Sequence, residues 1–201
     1  KLADLEMVKL LVAHKAPLFA KDKWGQTPLF NACQKKYYEI IEFLLLQSKT
    51  YIDEKTNDYA ACLHIACYSG DIRLVKLLVT HGANINIMDE QGTTPLFLAC
   101  EYGHPEVVEY LLQQPQTNID IQDKMGATPL HAVFNKVVQP EIIKLLLSYK
   151  ADLNLKNRLG YTALHYSAEQ KNIELTLLLV KSGADTNRLT NENVSPPYIA
   201  C

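Results

Sequence analysis

The sequence predicts an all-α solenoid: short helix-turn-helix units stacked in a row and joined by β-hairpin-like loops. Three observations predict it. Thr27-Pro28-Leu29-Phe30 returns as Thr94-Pro95-Leu96-Phe97 and as Thr128-Pro129-Leu130-His131, with weaker copies beginning at Ala61, Thr162 and Ser195. The intervals between the six copies are 34, 33, 34, 34 and 33 residues, a constancy that a single-core fold gives no reason for. All eight glycines fall in three slots of this period: before the Thr, between two helical patterns, and after the second pattern. Glycine suits positions that need φ > 0, so turns recur at fixed places. Finally, each period carries apolar residues at i, i+1, i+4 and i+5, the mark of one buried helix face.

The units follow in order. Residues 1–20 read as the second half of a unit, with Met7, Val8, Leu11 and Val12 as its stripe. In 21–54 the stripe is Ile40, Ile41, Leu44 and Leu45, and a longer connection, Gln47 to Asp53, closes the unit. In 55–87 the stripe is Leu74, Val75, Leu78 and Val79. There Tyr59, Ala61 and Cys62 stand where other units have Gly, Thr and Pro, which predicts a weaker turn and cap. Unit 88–121 is the most regular in its first half. Thr94 caps a helix, Pro95 takes the first helical position, Gly103-His104-Pro105 breaks the chain, and Val107, Val108, Leu111 and Leu112 form the second helix face. It ends in a second long connection, Gln113 to Asp120. Unit 122–155 carries one extra residue within 135–140 before its stripe, Ile142, Ile143, Leu146 and Leu147. In 156–188, Leu177 replaces the Lys or Glu of the other units, an apolar group that predicts a missing neighbour or a local fold-back. Residues 189–201 open a further unit. No such helix pair can bury its own apolar faces, so the units must stack.

These residues resemble the ankyrin repeat family. Gly92-x-Thr94-Pro95-Leu96-x-x-Ala99 and Gly82-Ala83-Asn84-Ile85-Asn86 match its two most diagnostic segments, and the resemblance spans the whole chain as one domain. Both ends fall within a unit, which suggests a piece of a longer ankyrin protein, since terminal units with a polar outer face are the rule.

Composition narrows the chemistry. Among 201 residues, 20 Lys and Arg stand against 22 Asp and Glu, a balance of −2. Nucleic-acid binders show a basic excess, so nucleic acid is not expected as a partner. No apolar stretch is long enough to span a bilayer, so no direct membrane insertion is expected. The five cysteines are odd in number and form no C-x-x-C, which favours a reducing compartment, cytoplasmic or nuclear, over a disulfide framework. His64, His131 and His165 share one slot, about 10 Å apart or more, too far to converge on a zinc ion. The resemblance implies that they bond backbone and the Thr hydroxyl. Cys33, Cys67, Cys100 and Cys201 share another slot suited to small packed side chains, and none has a recognisable base beside it. No phosphate loop, dinucleotide fingerprint, nucleophile elbow or zinc-protease motif occurs. Neither catalytic residues, nor a cofactor, nor a metal are therefore expected.

The functional signal must lie in positions that do not repeat. The resemblance implies that hairpin tips and the exposed side of the first helices line a concave partner-binding surface. Carried over, the candidates are Trp24, Tyr59, Gln91, Met125, Arg158 and Leu159 on the tips, Tyr68, Glu101 and Tyr102 at first-helix ends, and Tyr161 one residue past its glycine. Solvent-facing tips have no folding reason to carry Trp or Met, and Trp, Tyr and Arg are frequent binding hot spots. The leading expectation is a non-catalytic, monomeric scaffold for another protein or peptide. The alternative is a targeting or substrate-recruiting arm of a larger enzyme, channel or bacterial effector, with its chemistry elsewhere.

Overall fold

The computed structural model describes residues 4–47, 51–136 and 138–201. Twelve helices and no strand occur among them. They alternate as first and second helices of successive units: α1 (Leu5–Ala13); α2 (Pro28–Gln34) and α3 (Tyr38–Gln47); α4 (Cys62–Tyr68) and α5 (Ile72–Thr80); α6 (Pro95–Glu101) and α7 (Pro105–Leu112); α8 (Pro129–Ala132) and α9 (Pro140–Ser148); α10 (Ala163–Glu169) and α11 (Ile173–Lys181); α12 (Pro196–Ala200). First helices pack on first helices along the row, α2 on α4, α4 on α6, α6 on α8, and α10 on α12. Second helices form a parallel row, with α5 on α7 and α7 on α9.

The apolar stripes meet between the rows. Ile41, Leu74, Leu78, Leu111, Ile142, Ile143 and Leu146 are fully buried. A buried Leu or Ile stabilises by about 1.5–3 kcal/mol relative to exposure, and here the cover comes both from the first helix of the same unit and from the neighbouring second helix. Helix α1 buries no residue, so the core begins in earnest at Leu29 and runs to Ala184.

Each first helix starts at its predicted cap. The Thr27 and Thr94 hydroxyls each accept the N–H three residues on, at 3.2 Å. Where the third residue is His, it takes over. The N–H of Ala61, Thr128 and Thr162 donates to Nδ1 of His64, His131 and His165 at 3.0–3.1 Å. An N–H can only donate, so each Nδ1 accepts and each ring carries its proton on Nε2. That N–H donates to a carbonyl of the next unit: Thr93, Tyr161 and Val194. Ala61, expected to cap weakly, indeed has no side-chain cap bond; the His64 ring secures only the other half of the cap, by accepting the Ala61 N–H.

The loops between units are hairpin-like without being strands. In six of them the first turn residue donates to the carbonyl four residues on, as in Asp89 to Thr93 and Asn157 to Tyr161. The Asp or Asn side chain accepts from the N–H groups two and four residues on: Asp22, Asp89, Asp123 and Asn157 all do so. A Cβ on Gly25 would stand 2.5 Å from Asn57 Oδ1, so glycine there permits the next loop to approach.

The irregular places behave unevenly. Helix α8 has only four residues, against seven in α2, α4, α6 and α10, and the extra residue of this unit falls after it, within 135–140; Val137 there lies outside the described residues. So do Ser48–Thr50 in the first long connection. The second closes with Thr117 N–H donating to Gln114 O at 3.0 Å and Asn118 N–H to Asn86 Oδ1 at 2.9 Å. Leu177 is half exposed beside Ile173. Both border an apolar hollow of about 520 Å³ between α11 and α12.

Candidate partner-binding surface

The turn chemistry places the tip residues. In each Asx turn the residue just before the glycine projects outward, and these are Trp24, Gln91, Met125 and Leu159, all exposed. Trp24 is 57% exposed, Met125 57% and Leu159 59%, far more than a buried role would leave. Backbone bonds hold neighbouring tips in register. Asn57 N–H donates to Trp24 O at 3.0 Å, Lys124 to Gln91 O and Arg158 to Met125 O at 2.8 Å, and Asn191 to Leu159 O at 3.0 Å. Met125 and Leu159 therefore sit on adjacent tips, flanked by exposed Lys124 and Arg158. Trp24 stands at the other end of the row with Lys23 Nζ over its ring at 4.2 Å.

Tyr59 occupies a glycine slot. Its φ is +60°, in the same left-handed region as Gly25, Gly92, Gly126 and Gly160. Its side chain remains exposed, with Lys55 Nζ 5.8 Å from its ring centroid.

At the first-helix ends the structure brings Tyr68 and Tyr102 together. Their ring centroids are 4.4 Å apart at an interplanar angle of 63°, an edge-on pair. Tyr68 is 52% exposed; Tyr102 is half-buried. Burial, and after it the Glu101 carboxylate and Tyr68, pushes the Tyr102 hydroxyl above its ordinary pKa. Glu101 is tied to the next unit by Asn135 Nδ2, which donates to Oε1 at 3.2 Å. The Tyr68 carbonyl receives His104 Nε2 at 3.0 Å, so the helix end carrying Tyr68 is pinned to the unit that carries Tyr102. Sequence reasoning found the two tyrosines and Glu101 but missed Asn135 as the support of Glu101 and His104 as that of Tyr68. The spacing of about one unit, 34 and 36 residues, was the available signal.

Tyr161 has a different place. It is half-buried, its ring 5.5 Å from His165 and 5.4 Å from Tyr166, and its carbonyl accepts the His131 bond. It backs the row of tips and offers only part of a ring to solvent.

Elsewhere each buried side-chain nitrogen and oxygen among the described residues has a hydrogen-bond partner. Tyr38 Oη donates to Asp71 Oδ2 at 2.6 Å, Lys36 Nζ lies 3.1 Å from the same oxygen, and Arg73 stacks 4.0 Å over the Tyr38 ring. Burial and the Asp71 hydrogen bond push the Tyr38 hydroxyl up to about 12. Burial alone would raise the Asp71 carboxyl, but Tyr38, the Leu74 N–H and Lys36 together hold it below its usual value. Burial drives the Cys67 and Cys100 thiols well up, which keeps them protonated and poorly nucleophilic. No three His, Cys, Asp or Glu side chains among the described residues converge as a metal site. The hollow beside α11 is lined by no histidine, cysteine or carboxylate. No helix among the described residues is long and apolar enough to cross a membrane.

Comparison with known proteins agrees with this architecture. A family model described as Ankyrin repeats (3 copies) matches residues 45–123 and 116–190, and one described as Ankyrin repeats (many copies) matches 1–45. An ankyrin repeat protein of Fowlpox virus is 35% identical over 102 residues, 51% of this chain and 70% of that protein. An ankyrin repeat protein of Acanthamoeba polyphaga mimivirus is 33% identical over 111 residues, 54% of this chain but only 14% of that protein. A tyrosine-protein kinase of Hydra vulgaris is 30% identical over 111 residues, 54% of this chain and 15% of the kinase. Human protein phosphatase 1 regulatory subunit 27 is 50% identical over a shorter stretch of 52 residues, 26% of this chain and 34% of the subunit.

Proposed function

Because the chain belongs to the ankyrin-repeat family, whose members generally bind other proteins, we propose that it holds a partner protein or peptide on its tips and first-helix ends without chemistry of its own. The observation that carries this is the spatial sorting of the non-repeating residues. Trp24, Tyr59, Tyr68, Gln91, Glu101, Tyr102, Met125, Arg158 and Leu159 all lie on those two features, with Tyr161 behind them. The row is held by backbone bonds in every tip but one, so little ordering entropy opposes binding. Three or four units suffice for a standard interface of roughly 1,200–2,000 Å². The chain acts as a monomer in a reducing compartment, cytoplasmic or nuclear, consistent with five free cysteines of which four are buried. The likeness to a regulatory subunit and to a stretch of a kinase favours a second reading at a larger scale: a recruiting arm of a longer protein whose chemistry lies outside these residues.

The test uses affinity capture with the chain and a triple variant, Trp24→Ala/Met125→Ala/Leu159→Ala. These side chains are mostly solvent-exposed, so the melt of the variant should match that of the parent. Captured partners should bind it more weakly by more than about 1 kcal/mol. Equal binding by parent and variant, with a lowered melt, would assign the tips to the framework instead.

A further inference from the structure

The charge of the chain is not spread evenly. Between Met88 and Ile121 stand six carboxylates, Asp89, Glu90, Glu101, Glu106, Glu109 and Asp120, and neither lysine nor arginine. The whole chain balances at −2, so the remaining residues carry a net positive charge. Tyr102 and Glu101 belong to this acidic unit, and Tyr68 is packed against it. The tips of the same two units expose Asp58 and Glu90.

An edge-on ring pair leaves most of its π faces uncovered by the partner ring, and Tyr68 is half exposed. A π face attracts a cation within about 6 Å of the ring centroid. Asn135 engages Glu101 Oε1; Oε2 has no hydrogen-bond partner among the described residues. Arginine suits both features at once, since its flat guanidinium stacks on a ring while its N–H edge reaches a carboxylate; an ammonium is a compact point charge and cannot do both equally. One unit to either side, the same helix-end slots hold Lys35 and Lys136, both exposed. At about 10 Å per unit they lie near one Debye length, so a second cation beside the first meets repulsion. Lys124 and Arg158 on the next tips add to that.

We propose that Tyr68, Tyr102 and Glu101 form a seat for one arginine side chain, carried on a partner segment that is otherwise neutral or acidic. The inference rests on the reading of this surface as a protein-binding one and adds the chemistry of the occupant. The carboxylates and aromatic rings supply charge complementarity at the seat, and the flanking cations limit it to a single arginine.

The experiment is selection of displayed random peptides on the whole chain, with counter-selection on Tyr68→Ala/Tyr102→Ala. Peptides lost on the variant should share one arginine with neutral or acidic neighbours. A synthetic copy of the best peptide should lose about tenfold in affinity when its arginine becomes glutamine, about tenfold against the double variant, and about threefold against Glu101→Gln. Thermal melts of both variants verify that they remain folded. Variant-sensitive peptides with no arginine preference would overturn the seat and leave the surface reading intact. Peptides sensitive only to Trp24, Met125 and Leu159 would overturn the seat and confine binding to the tips. Selected peptides indifferent to all of these residues, or none selected, would overturn both.

Discussion

Tyr59 shows what one residue can reveal. The left-handed region costs a side-chain-bearing residue roughly 1–2 kcal/mol relative to glycine, and four other tips use glycine there. Nothing in the fold requires a tyrosine at this point, because its ring stays exposed. Strain retained at an exposed aromatic points to use of the ring by a partner. Tyr59→Gly should therefore leave the melt unchanged or raise it by up to about 1 kcal/mol in stability, and weaken partner binding. A fall in the melt would place the ring in the framework. The neighbouring seat was only partly legible. Tyr68 and Tyr102 stand out as aromatics at non-repeating positions, but their meeting at 4.4 Å depends on packing between units. The absence of cations from 88–121 was present in the sequence all along and disappears when charge is summed over the chain.

At the scale of the element, backbone conformation and space decide which residues the turn slots accept. Lys36 and Lys171 take the left-handed conformation in the slot of Gly70 and Gly103, and Lys15 and Lys150 take it in the slot of Gly82 and Gly183. The second slot is open: a Cβ on Gly82 or Gly183 would meet nothing within 4 Å, so a lysine fits there with only backbone strain. The first slot is not open in every unit. A Cβ on Gly70, with φ +67°, would stand 2.4 Å from His104 Nδ1. Gly70→Ala should cost about 2–3 kcal/mol, from the strained backbone and the displaced imidazole together. Gly82→Ala should cost only the first part, about 1–2 kcal/mol. Denaturant melts of both, and of Gly70→Ala in a His104→Ala background, separate the terms. Equal costs at the two glycines would mean that the imidazole swings aside freely, and that Tyr68 is not pinned through it.

Across the whole molecule, the three cap histidines couple unit to unit and make the stack sensitive to acid. Burial is the main cause that lowers the pKa of His64, His131 and His165, and their bonds to backbone only partly oppose it. In the unfolded chain a histidine takes up a proton below about pH 6.5. The native rings resist until a lower pH, so within that window the unfolded state binds more protons and stability falls as pH falls. The stabilisation is complete above about pH 6.5 and is lost on the way down to the native pKa values. Thermal melts should drop between pH 7 and pH 5, and His131→Gln should flatten the slope. A melt independent of pH over that range would contradict neutral rings bridging the units.

The sequence by itself determined the number and order of units, the helix pairs, the caps at Thr27 and Thr94, and the outward place of the tips. Those features follow from local chemistry repeated at a fixed period: a hydroxyl three residues before an N–H, a glycine where φ must be positive, an apolar stripe at helical spacing. Only the tertiary structure decided which non-repeating side chains touch. It joined Tyr68 to Tyr102, tied Glu101 to Asn135, turned Tyr161 inward against His165 and Tyr166, and set the His64 ring to accept the Ala61 N–H at the weakened cap. Each of those contacts except the cap and the Tyr161 cluster crosses between residues about one unit apart. Their geometry is fixed by how one unit rests on the next, which no single unit encodes.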